Sequence, residues 1–424
     1  MNDRRRRNFA FARLLSSAVV SQAFLSAASF AVGLILIRGA TVAQYGYYIL
    51  ALNAIVLLVS LQNAFLNPPL AIRLNGLDRS GRGELVGRLY SEQRRMVRAV
   101  GAGAGIIALG LWYEQVLDAR TGPLVLAAIV TALVIVHREY FRMVLLAYRR
   151  PHDVLRTDVI HVVLLVAGVG AATLTPAPAM MAIVAMGLAA AVSGMLLSRR
   201  LHRYEPWSAE TPRGILREIA PLAAWSTAGA GIHWIFSQGY IYLVAGTLDV
   251  AAVASIAGTR LLLMPVNLLS AGIGSLMLPL ASGWLPRDGA PLLWRRLCLF
   301  AAGMATVTVG YFTLIWLTRE WLFTSILRKQ FAQRDELLLL WGGVFLATVV
   351  RDQLAYLLAA QGRFRTLTSL TLFCAIASLG VGYGAMLRFG AAGALMGLLT
   401  GEVISALGVA ILSVHRAQQP VVAA

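Results

Sequence analysis

Residues 134–150 read VIVHREYFRMVLLAYRR. An apolar run admits His137, Arg138, Glu139 and Arg142, resumes, and ends on Arg149 and Arg150. Residues 349–363, VVRDQLAYLLAAQGR, repeat the arrangement. Aligning Arg138 with Arg351 brings Glu139 onto Asp352, Ala147 onto Ala360 and Arg150 onto Arg363. An Arg or Asp at the centre of a bilayer costs roughly 2.5–3.5 kcal/mol on insertion scales. A sequence that accepts this cost twice, at matching places, reads as two related halves of one membrane chain.

The composition agrees. Of 424 residues, 58% are hydrophobic and 13% charged, and the mean hydropathy is +0.72. A soluble domain carries about 25% charged residues. The net charge of +18 does not point to nucleic acid, because the basic residues gather in short loops between apolar runs, where they orient helices. Cys298 and Cys374 lie in apolar segments and suggest neither a disulfide nor a metal framework. The run from Leu15 to Ile37 is long enough to span a bilayer and has no clear cleavage site, so it reads as a retained first helix. No GxxxxGK[ST] run occurs, which argues against direct ATP drive.

A crossing helix needs about 20 apolar residues. Twelve such runs are found: 15–37, 45–66, 97–117, 122–148, 154–174, 179–197, 219–245, 250–280, 297–317, 336–360, 366–386 and 391–413. With the N-terminus inside, 26 of the 37 basic residues fall on the inner side and 7 on the outer; Arg138, Arg142, Arg260 and Arg351 lie within helices. That division fits twelve helices with both termini cytoplasmic. The expected fold is an all-α integral membrane protein, with two pseudo-symmetric six-helix bundles around a central cavity. Its parts are a basic arm (1–14), an N-terminal bundle (15–200), a basic linker (201–218), a C-terminal bundle (219–413) and a cytoplasmic tail (414–424). The stretch LVGRLYSEQRRMVRAV (85–100) has apolar residues near helical spacing with Arg between them, which suits a helix lying on an anionic inner leaflet or a plain basic loop.

The deep charges carry the functional reading. At 1.5 Å per residue, Arg138 lies about 16 Å from the cytoplasmic edge, near the midplane. Neighbours on a helix are about 100° apart, so Arg138 and Glu139 are poorly placed to pair, whereas Glu139 reaches Arg142 at i+3. Arg351 and Asp352 have no complementary charge at i±3 or i±4, so their partners lie on other helices or on a ligand. Arg260 is a further deep cation, and Pro265 just after it predicts a kink. Asn53 is its counterpart in the first half; Gln22, Gln62, Asn63, His233, Gln238 and Asn267 are other polar candidates. Each Arg–acid unit serves either as an interhelical tie or as the wall of a wet cavity. The second reading makes Arg138, Arg142, Arg260, Arg351 and Asn53 a binding set for an anion, since guanidinium holds phosphate bidentately and stays charged. Glu139, Asp352 and Glu402 are then orienting or coupling acids. Asp158 and His161, at i and i+3, suit a polar pair near a helix entrance better than a proton relay. No catalytic or metal set is expected.

The stretch SSAVVSQAFLSAASFAVGLILIRGATVAQYGYYILALNAIVLLVSLQNAFL (16–66) has a small-residue first helix, a short outside turn ending in YGYY, and a second helix with Asn and Gln. It resembles the Wzx-type polysaccharide flippases of the multidrug/oligosaccharidyl-lipid/polysaccharide exporter superfamily. The resemblance covers the whole chain in topology and about 70 residues in wording. It implies a non-enzymatic flippase of the bacterial inner membrane. The implied cargo is an oligosaccharide repeat unit on undecaprenyl pyrophosphate, moved by alternating access for O-antigen, capsule or exopolysaccharide synthesis. It implies no cofactor beyond coupling to H+, Na+ or the membrane potential. The implied partners are membrane lipids, a polysaccharide polymerase and glycosyltransferases. The alternatives are a cation-coupled multidrug exporter of the same superfamily, a lipid II flippase, or a polymerase or ligase using the outer loop TREWLFTSILRKQFAQRDE (318–336).

Overall fold

The computed structural model describes residues 24–74, 77–148, 150–204 and 214–417. The basic arm, Gln22 and the start of the first expected helix lie outside the described residues, as do residues 205–213 of the expected linker and 418–424 of the expected tail. The described residues are helical and contain no strand. The helices are α1 (Phe24–Gly39), α2 (Val42–Arg73), α3 (Arg79–Tyr113), α4 (Thr121–Ala147), α5 (Pro151–Ala172), α6 (Pro178–Tyr204), α7 (Ile215–Thr247), α8 (Val250–Leu261), α9 (Met264–Leu317), the short α10 (Arg319–Trp321) with a π-helical turn (Leu322–Leu327), α11 (Arg334–Ala360), α12 (Phe364–Phe389) and α13 (Ala391–Ala417). Nine of the described helices are long and apolar enough to cross a membrane. One of them, α9, covers two expected runs, because Gly289 (φ 77°, ψ 167°) breaks it. With α1 and α7, each of the twelve expected runs falls on a helix in its described part, and the chain is a multi-pass membrane protein.

Two compact units divide between Gly231 and Ile232, inside α7. In the first, α4 packs against α2, α3 and α6, and α5 against α6. In the second, α11 packs against α8, α9 and α13, and α12 against α13. The repeat read from the two Arg–acid units extends to whole elements. Thr121 and Arg334, Pro151 and Phe364, and Pro178 and Ala391 open corresponding helices at one separation, 334 − 121 = 213 residues. The second helix and its counterpart start alike too. Thr41 Oγ1 accepts from Gln44 N, and Asp249 Oδ1 accepts from Ala252 N, each satisfying a donor at a helix start.

Two local features decide helix shape. The eighth span is interrupted: α8 stops at Leu261, and Pro265 sits in the first turn of α9, where its missing N–H costs nothing. Tyr311 donates to the Leu262 carbonyl at the break (2.9 Å). The kink expected at Pro265 is therefore a full helix break. The other feature concerns α3, which is one helix from Arg79 rather than a span beginning near residue 97. Asp78 caps it through Gly81 N (3.0 Å). Leu85, Val86 and Leu89 are buried in a core with Leu66, Leu70 and Leu74 of α2, Tyr140 and Val144 of α4, and Leu197 and Leu201 of α6. This apolar stripe is thus taken up by the protein's own helices instead of by a leaflet.

Candidate functional site

The first-half cations form a closed ion-pair network on the hub helix α4. Arg138 is 4% exposed and uses all three of its guanidinium nitrogens. Nη2 donates to Asp158 of α5 (2.5 Å), Nε to Ser193 Oγ of α6 (3.0 Å), and Nη1 to Glu139. Arg142 reaches the other Asp158 oxygen (3.2 Å) and lies 3.6 Å from Glu139. Ser193 Oγ also contacts His161 Nδ1 (3.2 Å). Two guanidiniums thus meet two carboxylates, and formal charges cancel. The pairing of the sequence neighbours Arg138 and Glu139 departs from the helix-offset expectation. The long Arg side chain spans the offset, because Asp158 and Ser193 draw its head to the side where Glu139 also reaches. Gly194 makes room: a Cβ there would come 3.3 Å from Arg138 Cβ.

The counterpart on α11 is different. Arg351 Nη2 donates to Asp352 (2.8 Å) and Nη1 to Glu402 of α13 (2.5 Å). The Phe236 ring of α7 lies 5.9 Å from its guanidinium carbon, and His233 is within electrostatic range. Here one guanidinium meets two carboxylates, leaving one formal negative charge in excess. Glu402 is almost fully buried (side chain 6% exposed), whereas Asp352 is 37% exposed. The 213-residue register explains the difference. The positions matching Arg142 and Asp158 are Ala355 and Thr371, while Glu402 matches Ala189. The two halves thus keep the Arg–acid unit and change the groups around it.

Arg260 stands apart. It lies at the end of α8, donates to Gln238 Oε1 (3.2 Å), and stands over Trp341 at 5.3 Å, with the Tyr240 hydroxyl beside it. Trp341 is fixed by its Nε1 donating to the Ile256 carbonyl (3.0 Å) and by an edge contact with Tyr240. No carboxylate among the described residues pairs with Arg260, although each of the other three deep Arg has two. Asn53 donates to the Ile49 carbonyl of its own helix (2.8 Å). The structure therefore brings Arg138, Arg142 and Glu139 together in one network, and Arg351, Asp352 and Glu402 in another; Arg260 and Asn53 join neither.

Three features escaped the sequence reading. Asp158, His161 and Ser193 belong to the Arg138 network, and their i, i+3 spacing gave only a local pair. Gln62 and Gln93 both donate to the Val136 carbonyl (2.9 and 3.4 Å), a convergence of three helices that one-helix spacing cannot show. The charges of the 318–336 loop pair among themselves: Arg334 with Glu320 and Asp335, and Arg319 with Asp335. Among the described residues no group of three or more His, Cys, Asp or Glu is arranged to hold a metal ion.

No known family profile matches the chain, and no curated protein does. Solved structures do. An inward-facing multidrug resistance MATE family transporter of the MOP superfamily superposes with a TM-score of 0.75 at 14% identity, covering 94% of each chain. An outward-facing structure described in the same words gives 0.66 at 14% identity, over 96% of this chain and 95% of that one. A MOP superfamily transporter from Pyrococcus furiosus, described as having a binding pocket of reverse polarity that suggests a different function, gives 0.65 at 14% identity over the same shares. At this level of identity the likeness establishes architecture: the chain has the all-helical, two-unit fold of MATE transporters of the MOP superfamily.

Proposed function

We propose that this chain is a flippase of the bacterial inner membrane, with both termini cytoplasmic. It moves an oligosaccharide on a polyprenyl pyrophosphate to the outer leaflet by alternating access. The observation that carries the reading is Arg260: a deep guanidinium with an aromatic and an amide neighbour but no acid. A cation left unpaired at that depth is costly unless an anion comes to it. Arg138, Arg142 and Arg351 are already satisfied by carboxylates, so they hold helices together and Arg260 meets the phosphate. An anion leaving an inside-negative cell gains roughly 2.3 kcal/mol per charge per 100 mV, which favours export without ATP. The glycosyltransferases that build the cargo and the polymerase that consumes it are the expected partners.

One observation favours a second reading. The surplus carboxylate at Arg351–Asp352–Glu402 suits a proton or sodium ion, as a cation-coupled multidrug exporter requires, and two of the similar solved structures are described as multidrug resistance transporters. Leaflet-resolved measurement of lipid-linked oligosaccharide in cells lacking the gene separates the two. Build-up on the cytoplasmic leaflet supports the flippase. A normal distribution together with raised drug sensitivity supports the exporter.

A further inference from the structure

In the first unit, Gln62 of α2 and Gln93 of α3 converge on one backbone oxygen, the Val136 carbonyl of α4. A carbonyl can only accept, so it fixes the orientation of both amides: each turns its NH2 group toward Val136 and its oxygen away. Flipping either amide would set oxygen against oxygen and lose that bond. Both amide oxygens are buried without a hydrogen-bond partner, on residues only 7% (Gln62) and 1% (Gln93) exposed. Val136 is 147 − 136 = 11 residues from the end of α4 at Ala147, about 16 Å at 1.5 Å per residue. Two acceptors are thus left open deep in a membrane span, where an unmade hydrogen bond is costly.

The same three residues line a cavity of about 260 Å³. Phe65 of α2, Val97 of α3 and Leu133 of α4 give it apolar walls. Leu58, Met96 and Val100 also line it and are exposed, so it opens through apolar side chains. The other polar side chain of the lining, Thr227 of α7, donates its hydroxyl to the Ala223 carbonyl (2.9 Å). Among the described residues, no charged side chain lines the cavity. Its chemistry is therefore one-sided. An anion would face amide oxygens, and a cation would lose its water with no carboxylate to meet it. A neutral donor satisfies the oxygens without bringing in a charge. The volume is somewhat below the ~300–1,000 Å³ of sites for drug-sized ligands, so the occupant is small.

We propose that this cavity binds a small neutral aliphatic alcohol that enters from the bilayer. Its hydroxyl donates to the Gln62 or Gln93 oxygen, and its hydrocarbon part fills the space between Phe65, Val97 and Leu133. The site uses neither Arg–acid cluster and not Arg260, so it stands independently of the flippase reading.

The test is photolabelling of the purified full chain in lipid nanodiscs. The probe is an octanol with a diazirine on its chain, and the labelled residues are mapped by peptide mass spectrometry. The competitors are 1-octanol and its isomer heptyl methyl ether, at equal mole fraction in the bilayer; the two share a formula and differ in the O–H donor. Labelling is expected to saturate and to fall on cavity residues such as Met96 and Leu133. Octanol should displace the probe at a concentration at least tenfold lower than the ether does. Gln62→Met with Gln93→Met keeps the side-chain length and removes both oxygens, so it should abolish that preference while labelling persists. Equal displacement by the two isomers in the wild type would overturn the proposal, and this comparison needs no variant to fold. A preference for octanol that survives in the double variant would also overturn it. Labelling that does not saturate would mean that water alone meets the two oxygens, and equal displacement by octylammonium would refute a neutral occupant.

Discussion

Arg138 and Arg260 look alike in the sequence and differ in their surroundings. Arg138 is locked to Asp158, which is wholly buried, so Arg138→Ala leaves a carboxylate short of its partner. Breaking a buried pair in this way costs about 3–5 kcal/mol. The variant should therefore unfold at markedly lower temperature in detergent, and Arg138→Ala with Asp158→Ala should cost less than the two single changes combined. Arg260→Ala removes one hydrogen bond and one ring contact. It should lower stability by no more than about 1–2 kcal/mol while abolishing transport. Glu402→Gln can still accept from Arg351 and leaves that cluster formally neutral. Its unfolding temperature should match or exceed that of the wild type, and any dependence of transport on a proton or sodium gradient should weaken. The sequence revealed the four deep arginines because charge is conspicuous in an apolar run. It did not reveal which were paired, because pairing depends on Asp158, Ser193 and Glu402, which come from other helices.

Helices were largely legible, since a twenty-residue apolar run has few alternatives in lipid. The exceptions have physical causes. The apolar stripe of α3 around Leu85 and Leu89 fits a leaflet or a protein core equally well by spacing, and only the presence of Leu66, Tyr140 and Leu197 decides for the core. Pro265 signalled a disturbance, but its size depended on Tyr311 satisfying a freed carbonyl. Helix-to-helix distance was not legible at all. The α12 and α13 backbones approach so closely that a Cβ at Gly397 would overlap the backbone of Gly382 and the Ser378 carbonyl. Backbone cannot rotate aside as a side chain can, so Gly397→Leu should force the helices apart, at an overpacking cost of at least about 1–3 kcal/mol. Gly384→Ala in the same helix pair, with nothing within 4 Å of the new methyl group, should be neutral or slightly stabilising. Thermal unfolding of the two variants checks this contrast.

For the whole molecule, duplication sets the plan and divergence sets the chemistry. Helices that open 213 residues apart carry Arg138 and Arg351 in matching places, yet one cluster is neutral and the other holds a spare carboxylate. A chain that only needed ties between helices would have no use for an Arg260 that meets an amide and a ring but no carboxylate among the described residues. The central claim is that Arg260 meets the phosphate of a lipid-linked oligosaccharide. Its most direct test is the leaflet distribution of that lipid in cells lacking the gene and complemented with wild type, Arg260→Ala or Arg260→Lys, each at equal membrane abundance. The account predicts cytoplasmic-leaflet accumulation that wild type relieves fully, Arg260→Lys in part and Arg260→Ala not at all. Full relief by Arg260→Ala would contradict it.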